Sequence, residues 1–175
     1  VAHWIDHKST PGGWGNTFGN GIETCFPGAV RVGYNPDVIL SELRERIEAA
    51  VYPNDYIIQT GGGIEVFSAV PMTVNEMLMQ SYECVIRLFP VWNRSKDASF
   101  ENLRAYGAFL VSGSLSGGEI GQVNLTSEKG SPCRMENPLD GATVTLCRNG
   151  KKAETLSGEM LEFATDAGEK ITMKK

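Results

Sequence analysis

Any chemistry in this sequence starts from Glu65. It follows the run Gln59-Thr60-Gly61-Gly62-Gly63-Ile64, which reads as a flexible loop just ahead of a helix. Glycines let backbone approach a ligand closely, and catalytic groups concentrate in loops carried on rigid elements. Gly62 and Gly63 are therefore candidate substrate-binding positions, and Glu65 is a candidate base or orienting carboxylate. The same residue also reads as an ordinary solvated loop glutamate. Glu76 is a second carboxylate, but the T-x-x-E spacing from Thr73 explains it as half of a capping box at a helix start. Trp14, with Trp4 and Trp92, offers rings that could cover the apolar face of a sugar, and Trp14 is the candidate substrate-binding platform. Packing at a domain junction accounts for the tryptophans equally well. Trp92, close to Pro90 at a strand end, is assigned to such packing.

Other chemistries lack their residues. His3 and His7 lie four apart with no third ligand nearby, so no metal is expected. The cysteines (Cys25, Cys84, Cys133 and Cys147) are spread out with no CxxC pair and read as ordinary buried side chains. A Cys133–Cys147 disulfide stays open for an exported protein. Arg148, Lys151 and Lys152 flank a hairpin turn and read as solvated. No P-loop, GxSxG elbow or GxGxxG fingerprint occurs, and no cofactor is expected.

The elements that must position these residues differ between two halves. In residues 1–83, a loop-rich stretch from His3 to Gly33 precedes a clear helix. Asn35 is its N-cap, Pro36 its first residue, and Asp37 complements the dipole. Ile39, Leu43, Ile47 and Ala50 mark one face, and Pro53 closes the helix. A second helix starts at Thr73, with Val74, Met77, Leu78 and Ser81 on one face. Two helices and a glycine-rich loop cannot enclose a core of their own.

Residues 84–175 read as antiparallel β. Cys84–Phe89 is a strand ended by Pro90. Ala108–Leu115 is joined to Ile120–Thr126 by a turn at Gly117-Gly118. Val144 and Leu146 alternate with Thr143, Thr145 and Cys147 ahead of an Asn149-Gly150 hairpin turn. Leu161 and Phe163, then Ile171 and Met173, alternate over a turn at Asp166-Ala167-Gly168. Short strands at this spacing argue a sandwich.

Charge divides at the same place. Residues 1–83 hold ten acids and four bases, a net −6, and residues 84–175 hold eleven acids and twelve bases, a net +1. The whole chain of 175 residues carries −5, so nucleic acid is not an expected partner. No apolar run approaches the roughly 18 residues of a bilayer span, and no membrane is expected. The chain starts at Val1, which implies a removed leader or a piece of a longer protein.

The stretch Ile64-Glu65-Val66-Phe67-Ser68-Ala69-Val70-Pro71, then Asn75-Glu76-Met77-Leu78-Met79-Gln80-Ser81 and Ile86-Arg87-Leu88-Phe89-Pro90, resembles the C-terminal part of family 95 glycoside hydrolases and their bacterial relatives. Asp97–Phe100 and Leu103–Ser112 extend the likeness, as does Phe26-Pro27-Gly28 to Asn35-Pro36-Asp37, so it covers roughly residues 22–135. The family includes α-L-fucosidases and α-galactosidases. The resemblance implies an α+β fold class, with the last helices of an (α/α)6 barrel in residues 1–83 and a C-terminal antiparallel β-sandwich in residues 84–175. It also implies inverting hydrolysis in a parent chain, carbohydrate as substrate, the missing catalytic barrel as partner, and a periplasmic or secreted location. By itself the chain is expected to be inactive. In the fucosidases a carboxylate that supports the catalytic base lies eleven residues before the Glu of the E-M-L block. That spacing from Glu76 lands on Glu65, although Val66 and Phe67 follow it where the fucosidases have a D-G-N setting. The competing expectation is a non-catalytic carbohydrate-binding β-sandwich.

Overall fold

The computed structural model describes residues 28–50 and 64–175. The chain divides into two compact units, Val1–Met77 and Leu78–Lys175. The expected boundary stood near residue 84, but extended backbone begins at Met79.

The described part of the first unit is helical. A short α1, Gly28–Arg31, precedes α2, Pro36–Ala50, and α3 runs Ile64–Leu78. The start of α2 is written in its sequence. Asn35 Oδ1 accepts from the amides of Asp37 at 2.9 Å and Val38 at 3.4 Å, and Pro36 takes the first helical position, where no N–H is needed. Ile39 and Leu43 are buried as expected, whereas Ile47 on the same stripe is 37% exposed. The helix is described as far as Ala50, and Pro53 lies outside the described residues.

Helix α3 corrects the sequence reading. It does not begin at Thr73; it already includes Ile64 and Glu65 and passes through Pro71. Thr73 is in its interior and fully buried, so it is not an N-cap. Proline lacks an amide proton and crowds the preceding turn, which is why it reads as a boundary. Here an apolar run on both sides carries the helix past it. The three helices among the described residues do not make an (α/α)6 barrel, and the described fold is mostly antiparallel β.

The second unit is a β-sandwich-like domain. Its main sheet has seven strands in the order β3-β4-β6-β11-β8-β9, with β5 paired to the outer part of β4. The ranges are β3 Ala98–Ala105, β4 Phe109–Ser116, β5 Glu119–Ile120, β6 Val123–Ser127, β8 Val144–Arg148, β9 Lys151–Leu156 and β11 Glu169–Lys174. Two smaller ribbons accompany it: β1 Met79–Gln80 with β2 Arg87–Leu88, and β7 Cys133–Glu136 with β10 Met160–Phe163. Ile86 joins the ribbons. Its amide donates to the Arg134 carbonyl and its own carbonyl accepts from Glu136, each at 2.9 Å.

Alternation along the strands sets the core. Val111, Leu125, Val144, Leu146 and Ile171 turn one face of the main sheet inward. The ribbons supply a second layer. Leu88 and Phe100 pack over Gly113 of β4, their Cδ1 and Cζ 3.7 and 3.4 Å from where a Cβ would stand. Phe89 and Phe100 pack ring on ring, 5.4 Å between centroids.

Three local expectations change. Cys84–Phe89 is not a continuous strand: Tyr82–Cys84 forms a 3₁₀ turn, Ile86 makes a single bridge to Met135, and only Arg87–Leu88 forms the strand that pairs with β1. Leu161–Phe163 and Ile171–Met173 do not form a hairpin, because β10 pairs with β7 while β11 pairs with β6 and β8. The turn at Asp166–Gly168 therefore carries the chain from one layer to the other. By contrast, Asn149 and Gly150 have φ of 48° and 81°, the left-handed pair that a type I′ turn requires, and they do join β8 to β9.

Candidate functional site

Glu65 stands in the first turn of α3, not in a loop. Trp14, Gly62 and Gly63 lie outside the described residues, as do Trp4, His3 and His7. Glu76 sits eleven residues further along the same helix. Its partner is not the Thr73 amide of a capping box. Arg31 of α1 reaches it instead, Nη2 donating to Oε1 at 3.0 Å. That pairing of residues 45 apart ties α1 to α3.

In the second unit the most enclosed charge is Glu169, and it belongs to a network the sequence did not advertise. Arg148 was expected to be solvated beside its turn; it is instead 25% exposed, with Glu169 at 7%. Arg148 Nη1 donates to both Glu169 oxygens at 3.0 and 2.9 Å, and Nη2 donates to Glu154 at 2.7 Å and to the Ala164 carbonyl at 3.0 Å. Burial opposes the charge on Glu169, but the Asp166 amide and the Arg148 guanidinium outweigh it and hold the carboxyl below its usual range. A carboxylate kept ionised this way clamps strands together and is a poor proton donor. Lys151 and Lys152 are exposed, as expected.

Among the described residues the one buried thiol, Cys133, offers no nucleophile at neutral pH. Cys84, Cys133 and Cys147 are free, so the Cys133–Cys147 bridge is not formed; the two lie on β7 and β8, in different sheets. Burial pushes the Cys133 thiol up to about 12. Among the described residues no group of three His, Cys, Asp or Glu side chains could hold a metal ion, and no helix is long and apolar enough to cross a membrane.

Concave surface lies elsewhere on the second unit. A cleft of 340 Å³ is lined by Trp92, Arg94, Glu136 and Asp140 over Phe89 and Ile120. A second, of 460 Å³, shares Glu136, Asn137 and Asp140 with the first and continues to Gly141, Glu159 and Met160. Trp92 is thus a cleft residue within the β unit. The sequence reading missed Arg94, Glu136, Asp140 and Glu159, which come from well-separated segments and form no local motif.

No protein-family model and no curated protein matches the chain. Among solved structures, it is similar to the crystal structure of Ara127N-Se, a GH127 β-L-arabinofuranosidase from Geobacillus stearothermophilus T6. The match has a TM-score of 0.34 and 10% identity, over 63% of this chain and 18% of that one. A score of that size does not establish a shared fold.

Proposed function

We propose that this chain is the C-terminal region of a bacterial glycoside hydrolase of the family 95 kind, α-L-fucosidase- or α-galactosidase-like and inverting. In this reading α2 and α3 are the last helices of an (α/α)6 catalytic barrel, and the sandwich-like unit braces that barrel. The region is inactive alone, acts on carbohydrate only within the parent chain, and works in the periplasm or outside the cell.

One observation supports this reading above the rest. The block that resembles the family, Glu76–Ser81 and Ile86–Pro90, falls where the chain changes from α3 to the ribbon β1–β2, the kind of junction at which a sandwich would follow a barrel. Glu65 then has a defined part. In this reading Glu65 supports the general base of the parent's active site. Inverting hydrolysis also needs a carboxylic acid to protonate the leaving oxygen, with about 6.5–9.5 Å between the two groups for the attacking water. The resemblance assigns that acid to earlier segments of the parent.

Glu65→Gln in the intact reading frame tests the assignment. Turnover should fall on the order of 10²–10⁴-fold with the unfolding midpoint unchanged. Turnover at the unsubstituted rate removes Glu65 from the mechanism.

A further inference from the structure

We propose that the two neighbouring clefts of the β unit, which share Glu136, Asn137 and Asp140, form a binding site for a neutral saccharide. The choice of ligand class rests on the carbohydrate reading above; the site itself rests on its own geometry.

The walls are fixed before any ligand arrives. Trp92 Nε1 donates to the Lys96 carbonyl at 3.0 Å, which holds the half-exposed indole in one orientation. Asn137 is spent on the fold: Oδ1 accepts from the Leu139 amide, and Nδ2 donates to the Ala142 and Gly158 carbonyls, all at 2.8–3.0 Å. The floor, with Phe89 and Ile120, is core. A site that needs no ordering on binding keeps more of its interaction energy as affinity.

The groups facing the groove suit hydroxyls. Arg94 holds Asp140 through two bonds, Nη1 to Oδ2 at 3.1 Å and Nη2 to Oδ1 at 3.2 Å, with the side chains 44% and 73% exposed. Such an exposed pair contributes little to folding, but it sets a fixed donor beside a fixed acceptor. Glu136 is oriented by Arg87 at 2.7 Å. Glu159 is exposed and makes no ion pair among the described residues, so its carboxylate is left free to accept. A sugar ring offers what this arrangement lacks: hydroxyl protons for the carboxylates, hydroxyl oxygens for the guanidinium, and a C–H face for the indole. Glu136, Asp140 and Glu159 outnumber Arg94 and the Arg87 that holds Glu136, so the site disfavours phosphate and other anions. The accessible lining of the Trp92 cleft is mainly polar, as a ligand rich in hydroxyls requires.

The test is NMR titration of the 175-residue chain with L-fucose, D-galactose and their short oligosaccharides, read on the tryptophan indole signals. Trp92→Phe identifies the Trp92 signal. Saturable movement of that signal, with a millimolar or tighter Kd, is expected. Trp92→Ala and Asp140→Asn should each raise Kd at least tenfold, read on neighbouring amides. Glu159→Gln, at an exposed and unpaired position that leaves the fold undisturbed, should raise it at least threefold. No saturable movement with any of these sugars, or binding unchanged by all three substitutions, overturns the site. Hydrolysis of a soluble aryl-glycoside by the intact reading frame is measured independently of this titration, so failure of this site and failure of the hydrolase reading are observed separately.

Discussion

Replacing Arg148 by Gln should destabilise the β unit by about 2–3 kcal/mol at neutral pH, and the loss should shrink in acid. Removing one partner of a fully buried ion pair costs about 3–5 kcal/mol, because the other charge is stranded, while exposed pairs contribute about 0–1 kcal/mol. The network lies between these limits, with Glu169 at 7% exposure and Arg148 at 25%. The glutamine cannot replace the four hydrogen bonds that the guanidinium makes to Glu169, Glu154 and Ala164. The sign of the pH dependence follows from Glu169. Its folded pKa is depressed, so its contribution is present above the unfolded value, near 4.3, and is lost as pH falls through the folded one. Without Arg148 the burial of Glu169 dominates and reverses the shift, so protonation relieves the variant. The gap between the two proteins should close to below about 1 kcal/mol near pH 3. Urea unfolding followed by NMR on the amides of β8 and β11 measures it. A loss under about 0.5 kcal/mol at pH 7, or one equal at both pH values, would refute the reasoning.

Leu146→Ala, at a fully buried position on β8 between β11 and β9, should cost about 3 kcal/mol in the same urea experiment. A cost below about 1 kcal/mol would mean the inward face of the main sheet is not a packed core. In a Cys25→Ser background at pH 8, a disulfide reagent should label exposed Cys84 in the folded chain and reach Cys133 only in denaturant, since the Cys133 thiol titrates near 12. Equal labelling rates would contradict that burial.

Local physics was legible in the sequence and tertiary physics was not. The start of α2 could be read because its cap is made two and three residues away, between Asn35 and the amides of Asp37 and Val38. The β8–β9 turn could be read because Asn-Gly is the pair that tolerates two positive φ angles. Strand β3 was missed because a bulge breaks its alternation. The pairing with β4 shifts between Phe100 and Leu103, and Asn102 has φ of 55°. Likewise, the segment from Leu161 to Met173 carries every local sign of a hairpin, yet its strands belong to different layers, a choice made by partners elsewhere in the chain. Glu65 was recognised as a residue but misplaced, since Pro71 hid the helix that contains it. Arg148 looked solvated because Glu169 and Ala164 meet it only through the topology. The groove was invisible for the same reason: Trp92, Glu136 and Glu159 share no motif, and only the fold brings them to one surface.

The most direct test of the central claim is hydrolysis of a panel of aryl-glycosides, fucosides and galactosides included, by this chain beside the product of its complete reading frame. The account predicts turnover by the complete protein on at least one sugar and none by residues 1–175. Turnover by the 175-residue chain itself would place a complete acid–base pair within it and contradict the assignment of the catalytic acid to the parent.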